Sequence, residues 1–103
     1  MIKSILRIQV SSPLAEEVID RYAKLEVLET SILESGALAC ELAQSTTDEG
    51  SLIVSALWKD EAAYAHWLAN PSRERIAAAM GDLTMLMTGE TYRVRASVSA
   101  PTD

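Results

Sequence analysis

Ser51-Leu52-Ile53-Val54-Ser55-Ala56-Leu57-Trp58 is the stretch whose reading decides the architecture. Its branched aliphatic and aromatic content reads as a β-strand. Leu52, Val54, Ala56 and Trp58 fall on one face, with Ile53, Ser55 and Leu57 on the other, so both faces call for cover. A chain of 103 residues makes one domain with one core. A single helical layer covers one of those faces, and something else must cover the second.

Upstream, Ala37–Ser45 reads as a second strand, joined to the first by the turn Thr46-Thr47-Asp48-Glu49-Gly50. Lys3–Val10 is another strand, with Leu6, Ile8 and Val10 on one face and Ile5, Arg7 and Gln9 on the other. Ser12-Pro13 starts a helix, since proline at the first helical position loses no hydrogen bond and Glu16 and Glu17 suit the positive end of the helix dipole. Leu14, Val18, Tyr22, Leu25, Leu28 and Ile32 recur at three- and four-residue steps, predicting one continuous helix to about Glu34 with Gly36 just past its end. Downstream, Asp60 caps a helix over Glu61–Ala69, which Asn70-Pro71 breaks before a further helix, Ser72–Met80. Gly81 interrupts that helix, and Leu83–Met87 fits both helix and extended chain. Thr88-Gly89-Glu90 reads as a turn, and Thr91–Val98 alternates as a fourth strand. Residues 99–103 are expected to fray.

The order strand, helix, strand, strand, helix, strand predicts an α+β domain spanning residues 1–103: a ferredoxin-like split βαβ with a four-stranded antiparallel sheet and its helices on one face. The apolar residues on the other face predict a homodimer in which two sheets pack together as a dimeric α/β barrel.

Composition narrows the function. With 49% hydrophobic and 23% charged residues, the chain is that of an ordinary globular domain. A net charge of −6 has the wrong sign for a nucleic-acid backbone or an anionic membrane surface. The surplus acid, including Glu16, Glu17, Asp20, Glu26, Glu29 and Glu34, reads as the solvated face of the first helix. The single cysteine, Cys40, excludes an intramolecular disulfide and reads as a core thiol, which suits a cytoplasmic protein. Met1–Arg7 does not read as a signal peptide, and no apolar run is long enough to span a bilayer.

Chemistry-bearing residues concentrate between Trp58 and Leu68, where both tryptophans, Tyr64 and the only histidine stand within ten positions. His66 is the side chain best suited to exchange a proton near neutral pH, given a cavity and an orienting partner. Trp58, Trp67 and His66 are the candidate catalytic residues, with core packing the competing role for the tryptophans and helix-flank exposure for the histidine. On helical geometry Trp67 shares a face with Ala63 and points to the sheet, while Tyr64 and His66 point elsewhere. Arg7 would suit an anionic ligand oxygen, or an ion pair at a sheet edge. Together with Tyr64, Tyr92 and Met80 it completes the candidate substrate-binding set. No glycine-rich phosphate loop, histidine pair, serine elbow or Cys-x-x-Cys is present, so neither cofactor nor metal is expected.

This element order, with Trp58-Lys59-Asp60-Glu61-Ala62-Ala63-Tyr64-Ala65-His66 running into Trp67-Leu68-Ala69-Asn70-Pro71 and with Glu34-Ser35-Gly36-Ala37-Leu38 upstream, resembles the antibiotic biosynthesis monooxygenase family. The resemblance implies a dimeric α+β barrel. It also implies an activity among cofactor-free oxygenases, haem-degrading oxygenases, quinol oxygenases or an isomerase. In the haem-degrading branch Trp67 matches a tryptophan, but Ala77 stands where the axial histidine should be and Arg7 about where an asparagine should. In the anthrone oxygenases Trp58 matches a tryptophan, and Val54 replaces the asparagine four residues before it. The resemblance therefore implies a cofactor-independent monooxygenase acting with molecular oxygen on an aromatic, quinol-like or polyketide-like substrate. The alternatives are an isomerase or other acid/base enzyme on a small metabolite, and a non-catalytic binding or stress-associated dimer.

Overall fold

A computed structural model describes residues 1–83 and 85–101. Among them the chain forms β1 (Ile2–Gln9), α1 (Ala15–Lys24), α2 (Val27–Ser35), β2 (Ala39–Gln44), β3 (Ser51–Trp58), α3 (Glu61–Leu68), α4 (Pro71–Ala79) and β4 (Leu86–Arg93), with a 3-10 turn, Ser12–Leu14, leading into α1. The strands form one antiparallel sheet in the order β2-β3-β1-β4. This is the ferredoxin-like α+β arrangement expected from the element order.

The sheet parity follows the sequence. Ile2, Ser4 and Ile8 of β1 are buried beside Leu52, Ala56 and Trp58 of β3; Ile8 and Leu52 pack with Val18, Tyr22, Val27 and Met80 from the helical side, and Ile2, Ala56 and Trp58 with Ala37, Ala63, Tyr64 and Trp67. Asp60 Oδ1 accepts from the Ala63 N–H at 2.9 Å and starts α3, and Asn70 Oδ1 accepts from the Ser72 N–H at 2.8 Å and starts α4. Asn70 Nδ2 donates to Ser35 Oγ at 3.2 Å and Ser72 Oγ to Glu34 Oε1 at 2.7 Å, which ties α4 to the end of α2. Glycine is required at position 50, where a Cβ would lie 2.1 Å from the Val10 carbonyl oxygen. That close approach lets the Val10 N–H donate to Gly50 O at 2.9 Å and anchors the hairpin turn to the end of β1.

Two segments depart from the sequence expectation. The single long helix is two helices, broken at Leu25-Glu26, where Glu26 takes a left-handed conformation with φ 52°. The break turns the chain so that Val27, Ser31 and Ser35 face inward and Ile32 faces outward, although Ile32 continues the apolar spacing of α1. Propensity does not forbid a continuous helix, and packing of α2 along β2 overrides it. The second departure is β4, which runs over Leu86–Arg93 instead of Thr91–Val98. Gly89 pairs with Leu6, so the expected turn Thr88-Gly89-Glu90 lies in mid-strand. β4 is an edge strand with every residue exposed, so burial imposes no alternating pattern on it and its partner β1 sets its length. Beyond it the Val94 N–H still donates to Met1 O at 3.0 Å. Among the described residues no helix is long and apolar enough to cross a membrane. Of the tail expected to fray, Thr102 and Asp103 lie outside the described residues, as does Thr84 in the Leu83–Met87 stretch.

Candidate active site

A cavity of about 500 Å³ lies between the sheet and the helices. This is within the range of about 300–1,000 Å³ that takes a small organic ligand. Its floor is the inward face of the two central strands: Ser4, Leu6 and Ile8 of β1, with Val54, Ala56 and Trp58 of β3. Trp58 is 1% exposed, and its Nε1–H donates to Ser4 Oγ at 2.9 Å. That bond satisfies the one polar atom of the indole and fixes the ring beside the cavity. The Tyr64 ring packs on it at 5.5 Å between centroids and 53° between planes. Trp67 completes the aromatic wall from α3.

α4 provides the opposite wall through Arg73, Ile76, Ala77 and Met80, a run at i, i+3, i+4 and i+7 that shares one helical face. The connection from α4 to β4 adds Leu83 and Met85, and α1 adds Tyr22. Arg21 holds that connection in place. Its Nη2 donates to Asp82 Oδ2 at 3.0 Å, its Nη1 to Asp82 Oδ1 and to Ala79 O, and its Nε to Glu17 Oε1. The Arg21 guanidinium accordingly holds the Asp82 carboxyl below the usual carboxylate range.

The cavity collects only some of the sequence candidates. Trp58, Trp67, Tyr64 and Met80 line it. Tyr64 belongs there because Ala63, Trp67, Tyr64 and Leu68 fall within an arc of about 140° on the helix, which corrects the expectation that it points away. His66 lies about 100° outside Trp67 on the other side, and it is exposed and absent from the cavity wall. Arg7 and Tyr92 lie on the far face of the sheet, because strand alternation sends odd positions of β1 away from the helices and the β4 register puts Tyr92 opposite Lys3. Arg7 Nε donates there to Glu90 Oε1 at 3.0 Å, the exposed ion pair that was the competing reading. The Tyr92 hydroxyl beside it, and then Arg7, hold the Glu90 carboxyl below its ordinary range.

Of the three departures from the family branches, Ala77 and Val54 line the cavity and Arg7 does not. Cavity residues that sequence reasoning passed over are Tyr22 and Arg73. Tyr22 was absorbed into the core stripe of the first helix, and Arg73 looked like a surface charge. The signal for Arg73 was its place at the head of the Ile76, Ala77, Met80 stripe.

A ferredoxin-like α+β domain with an apolar, tryptophan-lined cavity between sheet and helices is the class that fold and site define. The model of the family described as antibiotic biosynthesis monooxygenase matches residues 1–79, and the chain belongs to that family. No curated protein matches the chain. Among solved structures, a candidate antibiotic biosynthesis monooxygenase from Deinococcus radiodurans is similar at 16% identity, with 99% of this chain and 100% of that one covered and a TM-score of 0.83. Another, from Caulobacter crescentus CB15, is 23% identical over 92% of this chain and 90% of that one, with a TM-score of 0.76. SnoaB, a cofactor-independent oxygenase from Streptomyces nogalater, is 19% identical over 96% and 97% of the two chains, with a TM-score of 0.71. At these identities the likeness shows a common fold.

Proposed function

We propose that the protein is a cofactor-independent monooxygenase that takes an aromatic, quinol-like or polyketide-like substrate into the cavity between sheet and helices. The observation that carries this reading is the aromatic wall of Trp58, Tyr64 and Trp67 over a largely apolar space of about 500 Å³. Membership of the family, and the fold shared with a cofactor-independent oxygenase, support the reaction class.

The chemistry asks little of the protein beyond environment. A carbon acid activated by carbonyl and aromatic groups gives a proton to water, its carbanion passes one electron to oxygen, and the two radicals recombine as a peroxide anion that takes a proton back. Loss of water leaves a carbonyl, so that a CH₂ group and O₂ become C=O and H₂O. The site must hold the ring, favour the anion over the neutral acid and exclude bulk water. Trp58 and Trp67 are proposed to contact the substrate, with Tyr64 and Met80 shaping its pocket. His66, exposed and off the cavity wall, has no place in this reaction. Arg7 and Tyr92 are assigned instead to the uncovered sheet face, which we propose a second copy of the chain covers, because Ile5, Ile53, Leu57 and Leu86 share it and, among the described residues, none of them joins the clusters that the helices cover. The lone thiol suits a cytoplasmic enzyme.

The test is oxygen uptake with 1,8-dihydroxyanthrone and with 1,4-dihydroxynaphthalene, under air and under argon, with the enzyme-free rate subtracted. Product formation that needs oxygen, one O₂ consumed per carbonyl formed from the anthrone, is expected. Equal turnover under argon would replace oxygenation with isomerase or other acid/base chemistry, and no turnover of either substrate would remove the oxygenase reading.

A further inference from the structure

We propose that Tyr22 and Arg73 form an oxyanion-binding end of the cavity, so that the ligand is an aromatic molecule presenting an ionised oxygen, either a phenolate, enolate or carboxylate. This rests on the cavity being the ligand site, but not on oxygenation.

Three small polar groups on the cavity wall are already engaged. Ser4 Oγ accepts the Trp58 N–H, Ser31 Oγ donates to Leu28 O at 2.7 Å, and the Cys40 thiol donates to the same carbonyl at 3.4 Å. Tyr22 differs. It is 7% exposed and lines the cavity, and its hydroxyl makes no hydrogen bond to any other described residue. Among the described residues no side-chain polar atom is both sealed from solvent and without a partner, so this hydroxyl opens onto the cavity, where water or a ligand oxygen can accept its proton. Burial pushes its ionisation up, the nearby Arg73 charge opposing by a smaller amount, so at neutral pH the group is a donor.

Arg73 is the second unusual group. It is half-buried at the head of the cavity stripe of α4, where the helical spacing calls for an apolar residue. Among the described residues it makes no ion pair, and its one hydrogen bond is a long contact of 3.5 Å to Leu68 O. Most of the other arginines are better engaged: Arg7, Arg21 and Arg93 pair with carboxylates, and Arg75 donates to Ser72 Oγ at 2.6 Å. A guanidinium with no carboxylate partner offers its planar fork of donors to an anion of matched geometry. The chain carries a net charge of −6, so its overall field repels anions, and a local pair of donors must supply any preference for one. Glu74 also lines the cavity and opposes an anion there, but it is exposed, so water screens it more than it screens Arg73.

The experiment compares 2-naphthoate with 2-naphthamide, two redox-inert probes of equal size that differ in charge, by isothermal titration of the whole protein. The wild type is expected to bind naphthoate at least about tenfold more tightly. Tyr22→Phe, which keeps the ring, and Arg73→Gln should each weaken naphthoate about five- to thirtyfold and leave naphthamide within about twofold. Glu74→Gln should tighten naphthoate alone. Equal affinities in the wild type, parallel loss of both probes in the variants, or no binding of either would overturn the assignment. Oxygen uptake failing while the naphthoate preference holds would sink the oxygenase reading and leave this site standing.

Discussion

Trp58 and Leu57 are neighbours in one strand and live in different chemical worlds. The helix-covered face of the sheet holds Trp58, Leu52 and Ile8, each 1% exposed, around a cavity. The opposite face holds Leu57, Ile53 and Ile5 half-buried, Leu86 at 74% exposed, and the Arg7–Glu90 ion pair in water. The same strands build both, with alternate residues. The difference teaches that parity, more than residue type, decides which groups can do chemistry: a charge on the enclosed face would be desolvated and strong, whereas the same charge on the open face is screened. Arg73 reaches the enclosed space only because a helix delivers it there.

The largest expected effect breaks the comparison at its sharpest point. Trp58→Ala should cost about 3–5 kcal/mol in urea unfolding, through lost burial and the enlarged cavity. Leu57→Ala should cost well under half of that in the isolated protomer. With a second copy on the open face, as proposed, Leu57→Asp should instead shift the protein toward monomer in sedimentation equilibrium while leaving the secondary structure intact. Similar losses from Trp58→Ala and Leu57→Ala at protein concentrations where the chain is monomeric would mean that the two faces are equally buried.

The parity of β1 and β3 was legible in the sequence because branched residues alternate there without a gap, and so the antiparallel sheet and its apolar second face were too. The bend at Glu26 was not, since Leu25, Leu28 and Ile32 keep a helical step that a straight helix would satisfy equally well. The course of β4 was hidden for the opposite reason. An edge strand exposed on both sides carries no hydrophobic signature, and Gly89 reads as a turn until its pairing with Leu6 is known. At the site, the aromatic content of α3 was legible and its direction only in part: Trp67 was placed and helix-flank exposure of His66 was among the readings, but Tyr64 was not placed. Tyr22 and Arg73 needed the cavity itself, because a tyrosine in a core stripe and an arginine on a helix look ordinary in one dimension.

A smaller effect probes how the enclosed face handles its polar atoms. Ser4→Ala removes the acceptor of the Trp58 indole N–H and leaves that donor on the cavity wall. The expected cost is about 1–2 kcal/mol in urea unfolding, toward the low end where water from the cavity can replace the hydroxyl. Ser4→Thr, which restores an acceptor, should recover part of it. No loss from Ser4→Ala would mean that the indole is held by packing alone.

The smallest effect belongs to the open face. The Tyr92 hydroxyl and Arg7 depress the Glu90 carboxyl, so the charged form is favoured in the folded state. Such a group stabilises the fold above its unfolded value of about 4.3 and loses that contribution as pH falls through the lower folded value. Because Arg7 and Glu90 are exposed, water screens the pair and little stability is at stake. Arg7→Gln should therefore leave the melting temperature at pH 7 within about 2 °C of the wild type, and the difference should vanish in acid. A larger loss that depends on protein concentration would have a different cause: a second copy covering this face, removing the water that screens the pair and making it part of an interface. Melting curves of both proteins at two concentrations and two pH values separate the outcomes. A large loss independent of both would contradict the assignment of this face as the screened one.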